Sequence, residues 1–458
     1  MSGTRSYMSN DDHHYICSDE VDRDTALIGT ARRRRTCTGN KIAICVLSLA
    51  AIGAITTGIV LLIVRSTKDP EPPKLMEPRK FVEPRKEMYE EPTPPHGGCL
   101  TSSDLLEELN EFYKLGGISS YNDEELCRFV HFKRLEKRYN RRYTDVAARH
   151  AGFLNFRRNM AIVEEHKKKA NATYTKGPNH FFDMDVKELA SKLLHPIDVG
   201  QNFQEYGSLG EVIVTKDNQE TYSLLKGHTD DPYAVDVGSK VSFENVNWRT
   251  PGAVSPVKDQ GHCGSCWAFA AIGAVESLFR MEKHQYLTFS EQELVSCDLQ
   301  SSGCGGGFSD FALEYIKKNG VTSSEDWNYE ASNGECSAHH GIRYYIKDYV
   351  SARGANVAST LLVRAPTVVY VAFTEDLFHY SGGVYNGECP EEQLNHAVLL
   401  VGEGYDATVK KRYWLIKNSW GSDWGEDGFI RLERTDKGYD KCGVLSFGFI
   451  PTGAVLAH

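Results

Sequence analysis

The chain lacks a surplus of positive charge. Its 458 residues carry 52 Lys and Arg against 62 Asp and Glu, a formal net charge of −10, which argues against a nucleic-acid partner. It also lacks a metal-ligand set. Cys263 and Cys266 stand at C-x-x-C spacing, but no second cysteine pair or histidine pair follows at zinc spacing. Neither a metal nor a cofactor is therefore expected. The glycine run Gly303-Cys-Gly-Gly-Gly307 is not followed by Lys-Ser/Thr, so a phosphate loop is disfavoured. One stretch lacks charge altogether: Ile42 to Val64 is 23 residues long, enough to cross a bilayer as a helix.

Composition sorts the rest of the chain into segments. Residues 1–41 are polar and without hydrophobic periodicity, which reads as a short cytoplasmic tail. Five basic groups (Arg32 to Arg35 and Lys41) precede the apolar run and three (Arg65, Lys68, Lys74) follow it, a bias that favours a cytoplasmic N-terminus. Residues 42–64 are thus expected to be a single signal anchor of type II. A cleaved signal peptide would have a shorter apolar core and a shorter leader. Residues 65–98 hold the prolines from Pro70 to Pro95, eight of the sixteen in the chain, and should form an extended stalk. Residues 99–239 open with two amphipathic helical runs, one through Leu105, Leu106, Leu109, Phe112 and Tyr113. The other passes through Phe153, Phe156, Met160, Val163 and His166. Between about 195 and 239 only a short β-like piece at Glu211–Thr215 stands out.

From residue 240 to 458 the texture changes. Seven cysteines fall after residue 260: Cys263, Cys266, Cys297, Cys304, Cys336, Cys389 and Cys442. An odd number in an oxidising compartment suggests three bridges and one free thiol. Helices are expected from Cys266 to about Met281, at Ser290–Val295 with a capping box of Ser290 and Glu293, and at Phe308–Lys318. Short β-branched or aromatic runs then follow at Thr367–Phe373, Ala397–Val401, Tyr413–Lys417 and Phe429–Glu433. Helices first and strands second give an α+β domain of two halves with a cleft between them.

The chemistry gathers at Gln260-Gly-His-Cys-Gly-Ser-Cys-Trp-Ala-Phe-Ala270. A cysteine at a helix entrance meets free N–H groups and the positive end of the helix dipole, which favour a thiolate and so a nucleophile. A histidine can hold that thiolate and later protonate a leaving amine. His396 stands at the head of the apolar run Ala397 to Val401. Asn418, in Lys417-Asn-Ser-Trp-Gly421, follows the next run and can orient the imidazole. Alone, a His at a strand end is more often a satisfied core residue, and Lys-Asn-Ser-Trp-Gly a turn. Three such groups in this order are more specific.

These residues resemble the papain-like cysteine proteases, cathepsin L and falcipain branch. Cys263 to Trp267 fits the local signature C-G-[SA]-C-[WY], with His396 130 residues beyond Cys266. The resemblance implies a helical left half, a β-rich right half and an active-site cleft between. It makes Cys266 the nucleophile, His396 the general base and acid, Asn418 the orienting amide and Gln260 a donor to the oxyanion. Trp420 would shield the Asn418–His396 hydrogen bond from water. It pairs Cys263 with Cys304, Cys297 with Cys336 and Cys389 with Cys442. Gly306 and Gly307 would bind extended substrate backbone, and Phe308, Tyr370, Leu394 and Phe447 would wall the pocket for the side chain two positions before the cut. Leu or Val is expected there.

The resemblance extends to an inhibitory propeptide. Gly177-x-Asn179-x-Phe181-x-Asp183 matches a motif of such segments, and Phe156, Asn159 and Val163 fit part of a longer helical one. Ala148, Gly152 and Lys167 depart from the latter, which questions its usual ion pairs. Where falcipains carry a long arm for haemoglobin capture, Gly402 to Tyr413 leaves room only for a short hairpin, so haemoglobin is not implied as substrate. The expectation is a monomeric endopeptidase zymogen in the secretory lumen or an acidic, lysosome-like or vacuolar compartment. It acts on proteins or peptides and is held by its own propeptide. Asn171-Ala-Thr173 is a glycosylation acceptor on the lumenal side. Cys99 and Cys127 could form a further bridge. A catalytically silent binding protein on the same scaffold, or a transglutaminase or glutaminase with the same three groups, would be the rivals. The complete residue set argues against the first, and the propeptide motif against the second.

Overall fold

The computed structural model describes scattered residues between 107 and 114, then residues 123–197, the backbone of 212–213, and 246–456 apart from 251, 338–340 and 391–392. All belong to one compact unit, Tyr89–His458. The tail, the apolar run at 42–64 and the stalk lie outside the described residues, as do most residues of the 195–239 segment. Among the described residues no helix is long and apolar enough to cross a membrane.

Two helices, α1 (Asp123–Arg138) and α2 (Val146–Lys167), open the described chain. Asp145 caps α2, its carboxylate accepting from the Ala148 N–H at 2.7 Å. The apolar stripe of α2 (Phe153, Phe156, Met160, Val163 and His166) is buried, as its spacing predicts. It packs on Leu126, Phe129, Phe132 and Leu135 of α1 in a small aromatic core of its own. Gly152 belongs to this packing. A Cβ there would come within 2.9 Å of the Tyr143 ring. The freed space lets Tyr143 donate its hydroxyl to Asp183 at 2.8 Å, beside the Arg141 guanidinium at 2.9 Å. The departures from the helical motif are thus matched by a different set of ion pairs, including Arg149 with Glu136 and Arg157 with Glu125.

Strand β1 (Tyr174–Lys176), helix α3 (Val186–Leu193) and strand β2 (Val212–Ile213) follow. The main body begins with α4 (Cys266–Lys283), which is buried on all sides from Cys266 to Phe279. Alanines at 268, 270, 271 and 274 let this helix lie close against the sheet, where it shares a core with Leu399, Val401, Leu415 and Phe449. Helices α5 (Glu291–Cys297) and α6 (Ser309–Asn319) complete the helical half. The capping box forms only by half. Ser290 Oγ accepts the Glu293 N–H at 3.1 Å, but the Ser290 N–H goes to the Thr322 carbonyl. The Glu293 carboxylate is taken by Tyr315, Thr322 and Arg343 instead, because a buried charge needs several donors.

Strands β3 (Tyr344–Ala352), β4 (Thr367–Val371), β5 (Tyr380–Tyr385), β6 (His396–Asp406), β7 (Lys411–Lys417), β8 (Phe429–Glu433) and β9 (Gly448–Leu456) join β1 and β2 in one sheet, ordered β1-β5-β8-β7-β6-β4-β9-β3-β2. Among the described residues only β5 and β8 pair in parallel. Between β6 and β7 the hairpin closes from Asp406 to Lys411, leaving four residues for the turn. Disulfides join Cys263 to Cys304, Cys297 to Cys336 and Cys389 to Cys442. Cys127 is also disulfide-bonded; Cys99 lies outside the described residues. The architecture is α+β, with helices on one side and a large sheet on the other; residues 174–197 reach both, through β1 on β5 and His195 against Gly264 and Gly306.

Candidate active site

Helix α4 starts where the chain turns at Ser265, whose side chain does not cap it. The Ser265 hydroxyl meets Tyr329 Oη at 2.6 Å instead. The first N–H groups of α4, those of Cys266 and Trp267, bond the Cys266 sulfur, while those of Ala268 and Phe269 go to the Ser265 carbonyl. Cys266 is the one free cysteine among the described residues, and it is buried. From the opposite half, the Ala397 N–H approaches its sulfur at 3.5 Å. That contact brings the start of β6 to the start of α4, and His396 stands one residue earlier.

Nε2 of His396 lies 2.8 Å from Oδ1 of Asn418. The Ser419 N–H points to the same Oδ1 at 2.8 Å. Two donors on one atom fix the amide orientation, so Nε2 carries the imidazole proton and Nδ1 bears the lone pair. No protein partner meets that buried Nδ1. The pair is walled by aromatics. The Trp420 ring centroid is 5.0 Å from that of His396, Phe373 is at 5.1 Å, and Phe378 stacks on Trp420 at 4.6 Å.

Gln260 is fully buried and held at four points. Its Nε2 donates to the Cys263 carbonyl at 2.9 Å, its Oε1 accepts from Ser419 at 2.6 Å, its backbone N–H donates to the Ser419 carbonyl at 2.8 Å, and its carbonyl accepts from the Tyr329 hydroxyl at 2.9 Å. One amide N–H is left to donate. Sequence reasoning missed Ser419 and Tyr329 as the groups that fix Gln260. Ser419 sits inside the Lys417 to Gly421 run and was open to notice, whereas Tyr329 lies in a loop without any motif.

His195, Pro196 and Ile197 lie in a cleft beside Cys266, whose other side is formed by Gln300 to Ser302, Gly306, Gly307 and Phe308. The N–H groups of His195 and Ile197 donate to the carbonyls of Asn395 and Leu394 at 3.0 and 2.8 Å. Gly306, at φ +105°, leaves its place to the His195 side chain; a Cβ there would lie 3.2 Å from it. Tyr370, Leu394 and Phe447 do not line this cleft directly. They are buried in the core that contains Cys266, and Ile197 packs against that core. The Tyr370 hydroxyl accepts the Ser309 N–H at 2.9 Å, and the Arg353 guanidinium sits 4.4 Å from the Phe447 ring centroid.

With the cleft filled, both reacting groups are neutral. Burial pushes the Cys266 thiol up to about 11, against the N–H groups of Ala397, Trp267 and Cys266. Burial likewise pushes His396 down to about 4, against the bond to Asn418. No group of His, Cys, Asp and Glu able to hold a metal occurs among the described residues. Asn171 is exposed at the end of the loop after α2.

The comparisons with known proteins agree with this geometry. A family described as papain family cysteine protease matches residues 243–452, and the cathepsin propeptide inhibitor domain (I29) matches residues 129–189. A cysteine proteinase of Theileria annulata is 42% identical over 76% of this chain and 78% of its own length. Falcipain-3 of Plasmodium falciparum is 35% identical over 69% of this chain and 64% of its own. Among solved structures, a recombinant stem bromelain precursor (31% identity, TM-score 0.58) covers 71% of this chain and 99% of its own. The procathepsin L2 of Tenebrio molitor larval midgut (29% identity, TM-score 0.59) has the same coverage. The chain belongs to the papain family of cysteine proteases and carries its I29 propeptide, and it is therefore a cysteine protease zymogen.

Proposed function

We propose that the protein is a lumenal cysteine endopeptidase, made as a zymogen on a type II membrane anchor at residues 42–64 and glycosylated at Asn171. Its catalytic groups are Cys266, His396, Asn418 and Gln260. The observation that carries this reading is the 2.8 Å His396–Asn418 bond beside a free cysteine in a cleft that the propeptide fills.

Once the cleft is open to solvent, Nδ1 of His396 takes the Cys266 proton, and the sulfur bonds to the scissile carbonyl carbon. The oxyanion is met by the free N–H of Gln260 and the backbone N–H of Cys266; losing one such donor typically costs about 10²–10³ in rate. His396 passes its proton to the departing amine as the C–N bond breaks, leaving a thioester. Water, deprotonated by His396, breaks the C–S bond and restores the thiol.

For the side chain two positions before the cut, the supporting features are large and apolar. Tyr370, Leu394 and Phe447 share one buried core, and Ile197 of the cleft packs against it. Arg353 against Phe447 adds a positive charge that disfavours Arg in that pocket. The preference is Leu or Val. Discrimination among aliphatics is modest, since a methylene is worth only about 1–3 kcal/mol. A positional-scanning peptide library on the processed enzyme tests this; strong cleavage after an Arg at that position would contradict it. A catalytically silent scaffold would leave such a library uncut.

A further inference from the structure

The propeptide grips the protease body at a short docking segment, the 3₁₀ turn Glu375–His379 and the start of β5. The Gly177 N–H donates to the His379 carbonyl at 3.0 Å, and Asn179 Nδ2 donates to the Phe378 carbonyl at 2.7 Å. Phe181 lies edge-on to Phe378 at 5.4 Å and to Trp420 at 5.8 Å. His379 itself is 2% exposed, with the Phe182 ring edge-on at 5.4 Å.

The hydrogen bonding of His379 decides its tautomer. Asn159 of α2 spends Nδ2 on the carbonyls of Phe182 and Met184, at 2.9 and 3.1 Å. Its Oδ1 is therefore the atom 3.1 Å from His379 Nε2, and it can only accept. Nε2 carries the proton, and Nδ1 is a bare nitrogen, buried and without a hydrogen-bond partner. A second proton would have to sit on Nδ1, in an apolar site with no acceptor.

We propose that His379 is the proton sensor of the zymogen: its protonation releases the propeptide from the docking segment and opens the cleft. The charged groups facing it are Lys176 from β1, which disfavours a second cation, and Asp376 from its own turn, which favours one. Asp376 is engaged elsewhere, by Lys176 and by the Tyr174 hydroxyl at 2.7 Å, and it also faces His166 of α2. Asp183 is turned away, to Arg141 and Tyr143.

The sign of the effect follows from linkage. Burial first, then Lys176, holds His379 down to about 4 in the closed form, against about 6.5 for a free imidazole. The stabilisation is complete above the free value and is lost progressively as pH falls from there toward the closed value. Between pH 7 and pH 5 this one group weakens docking on the order of twentyfold. Asp376 cannot serve that window. Although burial opposes it, Lys176 holds its carboxyl below the ordinary value, so its contribution is lost only at still lower pH.

The test uses the full chain with Cys266→Ala, which prevents processing, with and without His379→Gln. Glutamine keeps an N–H for Asn159 and does not titrate. Amide hydrogen exchange across residues 174–184 is followed from pH 7 to pH 5 and corrected for intrinsic rates. The parent is expected to lose protection on the order of twentyfold and the His379→Gln chain to lose almost none. Equal losses in both would overturn the proposal. An unprotected segment at pH 7 in the parent would overturn the docking itself. Should glutamine disturb the fold, NMR titration of the His379 ring in the Cys266→Ala chain decides directly. A pKa near 4 is expected, and titration near the free value of about 6.5 while the segment stays protected would refute the sensor.

Discussion

Asn418 and His396 hold one another in a single tautomer. Oδ1 of Asn418 takes the Ser419 N–H and Nε2 of His396, both at 2.8 Å, so the imidazole lone pair is left on Nδ1. Asn418→Ala should keep the thiol and the cleft but free the ring to turn. The expected loss is about 10²-fold in kcat with KM little changed, as for a misplacement of about 1 Å. An unchanged kcat would remove Asn418 from the account.

The two neighbouring cysteines should answer differently to substitution. Cys266→Ala is expected to abolish peptide hydrolysis and leave the chain unprocessed, with its thermal stability intact. Cys263→Ala breaks the bridge to Cys304 and should cost about 2–5 kcal/mol of stability. Thermal unfolding of both variants, with mass spectrometry of the free thiol, checks the pair. A free Cys263 and a bridged Cys266 would reverse the assignment.

Asp183 ties the propeptide together rather than to the body. Its carboxylate takes Tyr143 at 2.8 Å and Arg141 at 2.9 Å. Asp183→Ala leaves the Arg141 charge with one fewer partner and should loosen the propeptide by about 1.5–3 kcal/mol. The readout is processing of the chain at neutral pH, expected to rise above that of the parent. No change there would mean that the aromatic core of α1 and α2 suffices.

Phe447→Glu places a carboxylate beside the Arg353 guanidinium, now 4.4 Å from the ring centroid. That cation should neutralise it, so the single variant gains little on substrates with Arg two positions before the cut. Adding Arg353→Ala frees the carboxylate, and the ratio of Arg to Leu cleavage should then rise. A large gain from Phe447→Glu alone would show that Arg353 does not reach the pocket.

The stretches with strong local signals were legible from sequence. Helix α4 begins at Cys266 as expected because the apolar run Trp267 to Ala271 has nothing to break it. Strand β8 fits its expected bounds because Gly428 precedes it and its burial alternates only weakly. The stripe of α2 was visible through its period. What stayed hidden was set by distant partners. Strands β3 and β9 pair along nearly their whole length, yet each reads as a loosely patterned segment alone. Their alternation is fixed by each other and not by turn residues. Glu293 looked like half of a capping box, and only the fold shows Arg343 taking it. Likewise, nothing near His379 in sequence announces Asn159, which lies 220 residues away. The apolar run at 42–64 and the bounds of the stalk remain as read from composition.

One thiol, Cys266, is expected to be latent while residues 195–197 fill the cleft and reactive once they leave. The direct measurement treats the full chain with an epoxide that attacks active-site cysteines, at pH 7 before processing and again after acid processing. The labelled form is then mapped by mass spectrometry and N-terminal sequencing. The expected result is almost no label on the intact chain, since burial holds the thiol near 11. After processing, stoichiometric label should appear on Cys266, in a polypeptide that begins shortly before residue 246. Rapid labelling of the uncleaved chain at pH 7, or label on any other cysteine, would contradict the account.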